Sequence, residues 1–135
     1  MSAVTDIEAL VTANFAAVAG ITNALDHEPQ RLPKMPVVTL LCVRYDPVDA
    51  ETGIGQDVTY QWLVRLYVPL NDWRTSQQSL KELVPLLLNA VRDDPTLGDY
   101  VDFLTLRDSG SEPEFNTDGG YVTKRLTLTA SLCER

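Results

Sequence analysis

Residues 58–68 alternate without a break. Val58, Tyr60, Trp62, Val64, Leu66 and Val68 fall on one parity, and Thr59, Gln61, Leu63, Arg65 and Tyr67 on the other. A period of two sends the two parities to opposite sides of an extended strand. The segment therefore has to lie with one apolar face on a core and a mixed face outside. Pro69 follows, and it ends the ladder because it has no N–H to donate. The period then changes. Leu80, Leu83, Val84, Leu87, Leu88 and Val91 stand at i, i+3, i+4, i+7, i+8 and i+11, the spacing of an amphipathic helix. Thr75 with Gln78 predicts a capping box at its start. Pro85 lies on the other face and is expected to kink or split the helix. Asp93-Asp94-Pro95 ends it.

The remaining segments are read against this pair. A first helix is expected from Thr5 to about residue 19, with Thr5 and Glu8 as a capping box, Ile7, Leu10, Val11, Phe15 and Val18 at helical spacing, and Gly20 as its stop. Residues 26–36 carry three prolines and read as an extended connector. Residues 37–45 predict a strand, and residues 46–57, with Pro47, Gly53 and Gly55, a loop. Residues 100–107 predict a third strand and residues 108–120 a polar, acidic, turn-rich loop. Residues 121–132 predict the last strand. Its apolar face is Val122, Leu126, Leu128, Ala130 and Leu132, with Lys124 intruding, and its polar face is Tyr121, Thr123, Arg125, Thr127 and Thr129. The expected architecture is a single α+β domain over residues 1–135, in the order α-β-β-α-β-β. Two hairpins make a four-stranded, mainly antiparallel sheet, with two helices on its apolar face.

A chain of 135 residues, 44% hydrophobic, is long enough to build a core without disulfides or metal. Its 11 basic and 19 acidic residues give a net charge of −8. With no Lys/Arg cluster, that balance argues against nucleic acid or an anionic membrane as the main partner. Cys42 and Cys133 lie in strand-like segments without CxxC spacing and are expected to be reduced and buried. Neither a secretory leader nor a membrane span is expected.

Chemistry-bearing motifs are scarce. One histidine, His27, sits in the proline-rich connector with no nucleophile motif beside it. No GxSxG, HExxH, P-loop or GxGxxG occurs. Asp46, Asp49, Glu51 and Asp57 do not follow the EF-hand spacing. They read as a solvated loop, as do Asp108, Glu112, Glu114 and Asp118. No catalytic, cofactor-binding or metal-binding residue is assigned, and no enzyme is expected. A small ligand-binding adaptor would need a pocket lined by Trp62 or Trp73 with convergent polar groups. Trp62 alternates with core residues and is expected to pack there. Trp73, beside Arg74 in a polar link, either staples the second helix or faces a partner, since Trp and Arg are enriched in binding hot spots. Interface candidates are Arg65 and Tyr67 on the mixed strand face, Trp73 and Arg74 in the link, and Asp49, Glu51, Glu112, Glu114 and Phe115 in the two acidic loops.

The run Val58-Thr-Tyr-Gln-Trp-Leu-Val-Arg-Leu-Tyr-Val-Pro-Leu70, the helix Leu80-Lys-Glu-Leu-Val-Pro-Leu-Leu-Leu-Asn-Ala-Val91 with its internal proline, and the closing strand from Gly120 through Thr129 resemble the tail-terminator and tail-completion (neck) proteins of long-tailed bacteriophages. The resemblance is strongest over residues 58–132. Its motifs are architectural and carry no catalytic residue. It implies a structural virion protein that forms a ring, commonly a hexamer. The ring would cap the head-proximal end of the tail tube, stop its growth and join the tail to the head. The implied partners are further copies of the chain, the tail tube protein and head-connector or neck proteins, with DNA only passing through the lumen. The implied location is the head–tail junction of the virion, and the host cytoplasm during assembly. Tail-to-head joining and minor tail proteins share a similar pattern and are the alternative.

Overall fold

The computed structural model describes residues 3–49, 56–70, 72–110 and 112–134, and the backbone alone at residues 3, 44–49, 56–57 and 133–134. Among the described residues two helices and six strands follow in the order α1 (Ala3–Ala16), β1 (Asn23–Leu25), β2 (Val37–Asp49), β3 (Gln56–Pro69), α2 (Trp73–Asp93), β4 (Phe103–Asp108), β5 (Glu114–Asn116) and β6 (Tyr121–Glu134). The strands form one mixed sheet, β1-β2-β3-β6-β4, with β5 paired to β6 beyond the end of β4. This corrects the expected four-stranded, mainly antiparallel sheet: there are six strands, one neighbouring pair is parallel, and the order is α-β-β-β-α-β-β-β.

The two unexpected strands, β1 and β5, are three residues each. That is too short for alternation to register as a pattern. β1 runs parallel to β2, from Asn23↔Val37 to Leu25↔Thr39, so the chain between them has to cross over. The proline-rich segment 26–36 is that crossover. Where it is described, at residues 46–49 and 56–57, the expected loop at 46–57 is strand: β2 and β3 pair from Val37↔Tyr67 out to Asp49↔Gln56, with a bulge between Cys42 and Arg44. Residues 50–55, Glu51 among them, lie outside the described residues. The third strand begins at Phe103 rather than residue 100. Leu97, Gly98 and Asp99 all take positive φ, which turns the chain there, and Tyr100 points its hydroxyl at Asp6 of α1 (2.8 Å).

The parity expected for β3 holds. Val58, Tyr60, Trp62, Val64, Leu66 and Val68 are all at most 2% exposed. They pack with Val38 and Leu40 of β2, Leu104 and Leu106 of β4, and Val122, Leu126, Leu128 and Ala130 of β6. Ile7, Val11 and Phe15 of α1, and Leu80, Leu83, Leu87 and Val91 of α2, close this face. Each large aliphatic side chain so buried contributes roughly 1.5–3 kcal/mol. Trp62, fully buried, donates its indole N–H to Glu8 Oε2 (3.2 Å).

Both helix starts differ from expectation. Thr5 lies inside α1 rather than at its cap, and Glu8 faces Trp62 instead of the helix terminus. In α2 the cap is Asp72: its carboxylate accepts from the Thr75 N–H (2.7 Å) and hydroxyl (2.9 Å). That short, charged acceptor outcompetes a Thr75 cap and starts the helix early enough to include Trp73 and Arg74. The helix runs unbroken through Pro85 to Asp93, with the proline on its exposed side. Cys42, expected to be buried, is exposed. It follows the core parity, but it sits on β2 beyond the reach of β1, at the margin of the sheet. Cys133's side chain lies outside the described residues.

Candidate assembly interface

The face of the sheet turned away from the helices carries the polar parity of β3 and β6. At one end it is covered by the crossover. Glu28, in that segment, takes two hydrogen-bond donors and an ion-pair partner from two strands. Thr39 donates from β2 to Oε1 (2.7 Å), and Tyr67 donates from β3 to Oε2 (3.0 Å). Arg65 Nη1 lies 3.1 Å from Oε1. Thr39 is fully buried and Tyr67 nearly so. Burial, and then the bond to the Glu28 carboxylate, hold the Tyr67 phenol above its ordinary pKa of 10.0. Tyr121 stacks edge-on against Tyr67, centroids 5.4 Å apart. Arg65 and Tyr67 are thus engaged within their own chain, holding the crossover down.

On β6, Arg125 stands opposite Arg65 and pairs with Glu114 of β5. The turn from β5 into β6 is closed by Asn116, whose side-chain carbonyl accepts from the Gly119 N–H (2.6 Å). Part of the expected 108–120 loop is therefore a strand docked on the sheet.

A second surface forms where α2 begins. Ser76, buried, donates its hydroxyl to the Pro69 carbonyl (2.8 Å), and Leu70 N–H reaches the Gly120 carbonyl (2.9 Å). These bonds lock the first turn of α2 to the ends of β3 and β6. Trp73 is held at the surface, 63% exposed, with its ring 5.1 Å from that of Phe115. Arg74 beside it is exposed. An adjoining groove of about 580 Å³ runs between α2 and the β5 edge, with Leu80, Val84, Pro85 and Phe115 among its walls. Glu112 stands at it, and so does Lys124, which intrudes on the core face of β6 and is neutralised by Asp108 (2.9 Å). Burial alone would raise the Asp108 pKa. Hydrogen bonds from the Gly110 N–H and from Lys124, with the lysine's charge, more than offset that and hold it below 3.8.

The structure therefore brings Trp73, Arg74, Glu112 and Phe115 to one side of the molecule, and Arg65, Tyr67 and Glu114 to the outer sheet face. Asp49 ends β2, far along the sheet from both. Glu28 and Arg125 carry the outer-face network, and neither was singled out from sequence. An acid in a proline-rich connector gives no signal of the strand it will reach. His27 is exposed, its Nδ1 2.8 Å from Asp26 Oδ1. Neither Trp62 nor Trp73 lines the groove.

No protein-family model matches the chain, and no curated protein matches it. Solved structures do match it, and one of them does so throughout. It is a chain in the virion of a native gene transfer agent (GTA) particle, with a TM-score of 0.53 at 15% identity, covering 100% of both chains. The two share a fold. Identity that low carries nothing further about individual residues.

Proposed function

We propose that this chain is a structural virion protein of a phage-like particle and, more finely, a tail terminator. In this reading copies assemble into a ring, six being the expected number, at the head-proximal end of the tail tube. The ring halts tube growth and presents a surface to the head connector. The observation that supports it is the full-length likeness to a chain of the GTA virion. It agrees with the terminator-like pattern over residues 58–132. The reading assigns no enzymatic activity to the chain. The Trp73–Phe115 surface, with Arg74 and Glu112, is the part of the proposed interface free to meet a tube or connector subunit, since Arg65 and Tyr67 are taken up by Glu28.

Electron microscopy of the purified protein, alone and mixed with tail tubes, tests the reading. Rings, or caps at one end of each tube, are expected. Binding to head connectors without binding to tubes would favour a tail-to-head joining protein. Single copies that ignore tubes and connectors alike would remove the assembly reading.

A further inference from the structure

The edge strands of the sheet change at the same height on both sides: β1 gives way to the bare edge of β2 on one side, and β5 gives way to β4 on the other. β1 covers the edge of β2 turned away from β3 only from Val37 to Thr39, and among the described residues no strand pairs with that edge beyond that point. On the far edge, β5 covers β6 from Tyr121 to Thr123. The row through Asn23, Val37, Tyr67, Thr123 and Glu114 has a short strand at each end. Higher up, the register can be followed straight across. Leu40 pairs with Val64, Val64 with Leu126, and Leu126 with Asp108. Five levels on along β3, β6 and β4, and six residues on along β2 because of its bulge, Asp46 pairs with Thr59, Thr59 with Ser131, and Ser131 with Phe103. The uncovered stretch of β2, residues 40–46, thus spans the same rows as β4, Phe103–Asp108.

Direction matches as well as height. β2, β3, β6 and β4 alternate, each antiparallel to the next, so β4 runs antiparallel to β2. A second copy placed beside the first in the same orientation would set its β4 against the open part of β2 as the next antiparallel strand. An uncovered strand edge is a template for such pairing. Among the described residues, the large apolar side chains left exposed on the strands lie there: Leu41 (39%) and Val43 (54%) on β2, and Phe103 (55%) on β4. The bulge between Cys42 and Arg44 interrupts the edge and guards it against indiscriminate pairing.

We infer that copies of this chain join by pairing the edge of β2, residues 40–46, with the edge of β4, Phe103–Asp108, of the next copy. The two patches differ, so the contact is head-to-tail and propagates around a ring or along a filament. This rests on the assembly reading above and names the surfaces that carry it.

Two variants test it, with substitutions on exposed side chains only: Leu41→Lys/Val43→Lys blocks one edge, and Phe103→Lys blocks the other. Circular dichroism and a urea midpoint confirm that each still folds. The wild-type assembly is expected by light scattering, and each variant alone is expected to fall to the 15.0 kDa of one chain. Mixed in equal amounts, the two variants keep one intact edge each and should stop at twice that mass. Hydrogen exchange should show amides 40–46 and 103–108 gaining protection together on wild-type assembly. Wild-type-sized assemblies from both variants, or protection at neither edge, would overturn the pairing and leave the ring reading standing. Dimers of the Phe103→Lys variant by itself would replace it with a β2-to-β2 contact. Protection of β2 only when tube subunits are added would make a tube strand the occupant. A wild-type chain that stays monomeric with and without tubes would remove both readings.

Discussion

Arg65 and Arg125 stand directly opposite each other on β3 and β6, on the outer face of the sheet. Like charges in that position oppose strand pairing. Here each has its own carboxylate on the far side: Glu28 beside Arg65, Glu114 beside Arg125. The order across the sheet is acid, arginine, arginine, acid, and the two acids belong to the two segments with the least regular structure to hold them. The crossover is tied down through Glu28 and β5 through Glu114.

Removing Glu28 leaves Thr39 buried without its acceptor and Arg65 facing Arg125 uncompensated. Glu28→Ala is expected to cost about 1–3 kcal/mol, the range for losing a charged hydrogen-bond partner. Urea unfolding measures it. A double-mutant cycle with Arg65→Met should be less than additive, and full additivity would mean that the two side chains do not interact.

Glu8 makes stability depend on pH in the unusual direction for a carboxylate. Burial raises its folded pKa above 4.5, against the lowering effect of the Trp62 hydrogen bond. The folded state then holds the proton to higher pH than the unfolded state. Stability falls as pH rises from 4.5 through the folded value and stays lower above it. Glu8→Gln keeps an acceptor for the indole and should flatten that slope. Glu8→Ala strands a buried N–H, at about 1–3 kcal/mol, at every pH. Denaturation midpoints of the three proteins between pH 4 and pH 8 decide this.

Asp108 has the opposite sign. Its folded pKa lies below 3.8, so the stability it contributes is present at neutral pH and is lost only as the solution is acidified through that lower value. Asp108→Asn should flatten the acid limb of the stability curve below about pH 4 and leave the region around Glu8 unchanged. An acid limb identical to that of the wild type would argue against the Lys124 pair.

Gly20 has φ +93°, and a Cβ there would meet Leu83 Cδ2 at 2.9 Å. The leucine tip can shift, whereas the backbone conformation is one that L-residues avoid at about 1–2 kcal/mol. Gly20→Ala should lower the urea midpoint by that amount with an unchanged slope.

The two tryptophans report on different places. Trp62 is fully buried, and Trp73 is 63% exposed against Phe115. Fluorescence of a Trp62-only variant, Trp73→Phe, should be blue-shifted and indifferent to assembly. If the α2 start meets a tube or connector subunit, wild-type emission should shift blue on complex formation through Trp73. A shift that survives Trp73→Phe would place the change elsewhere.

Long periodic segments were legible without coordinates. The alternation of residues 58–68, the helical spacing from Leu80 to Val91 and the two faces of residues 121–132 place their side chains as read, because burial of one face leaves no freedom in a period. The folding-back of the acidic stretches was not legible. Whether residues 46–49 extend a strand depends on a partner strand being beside them, and Glu114, Phe115 and Asn116 become a strand only because β6 offers an edge. Three-residue strands have no period of their own, so the parallel β1–β2 pair, and with it the mixed sheet, belonged to the tertiary structure alone. The same holds for Glu28. The sequence by itself determined which faces are apolar and where the long elements run, through local periodicity. Only the fold decided which distant carboxylate meets which arginine and which strand edges stay open, because those depend on register across the sheet.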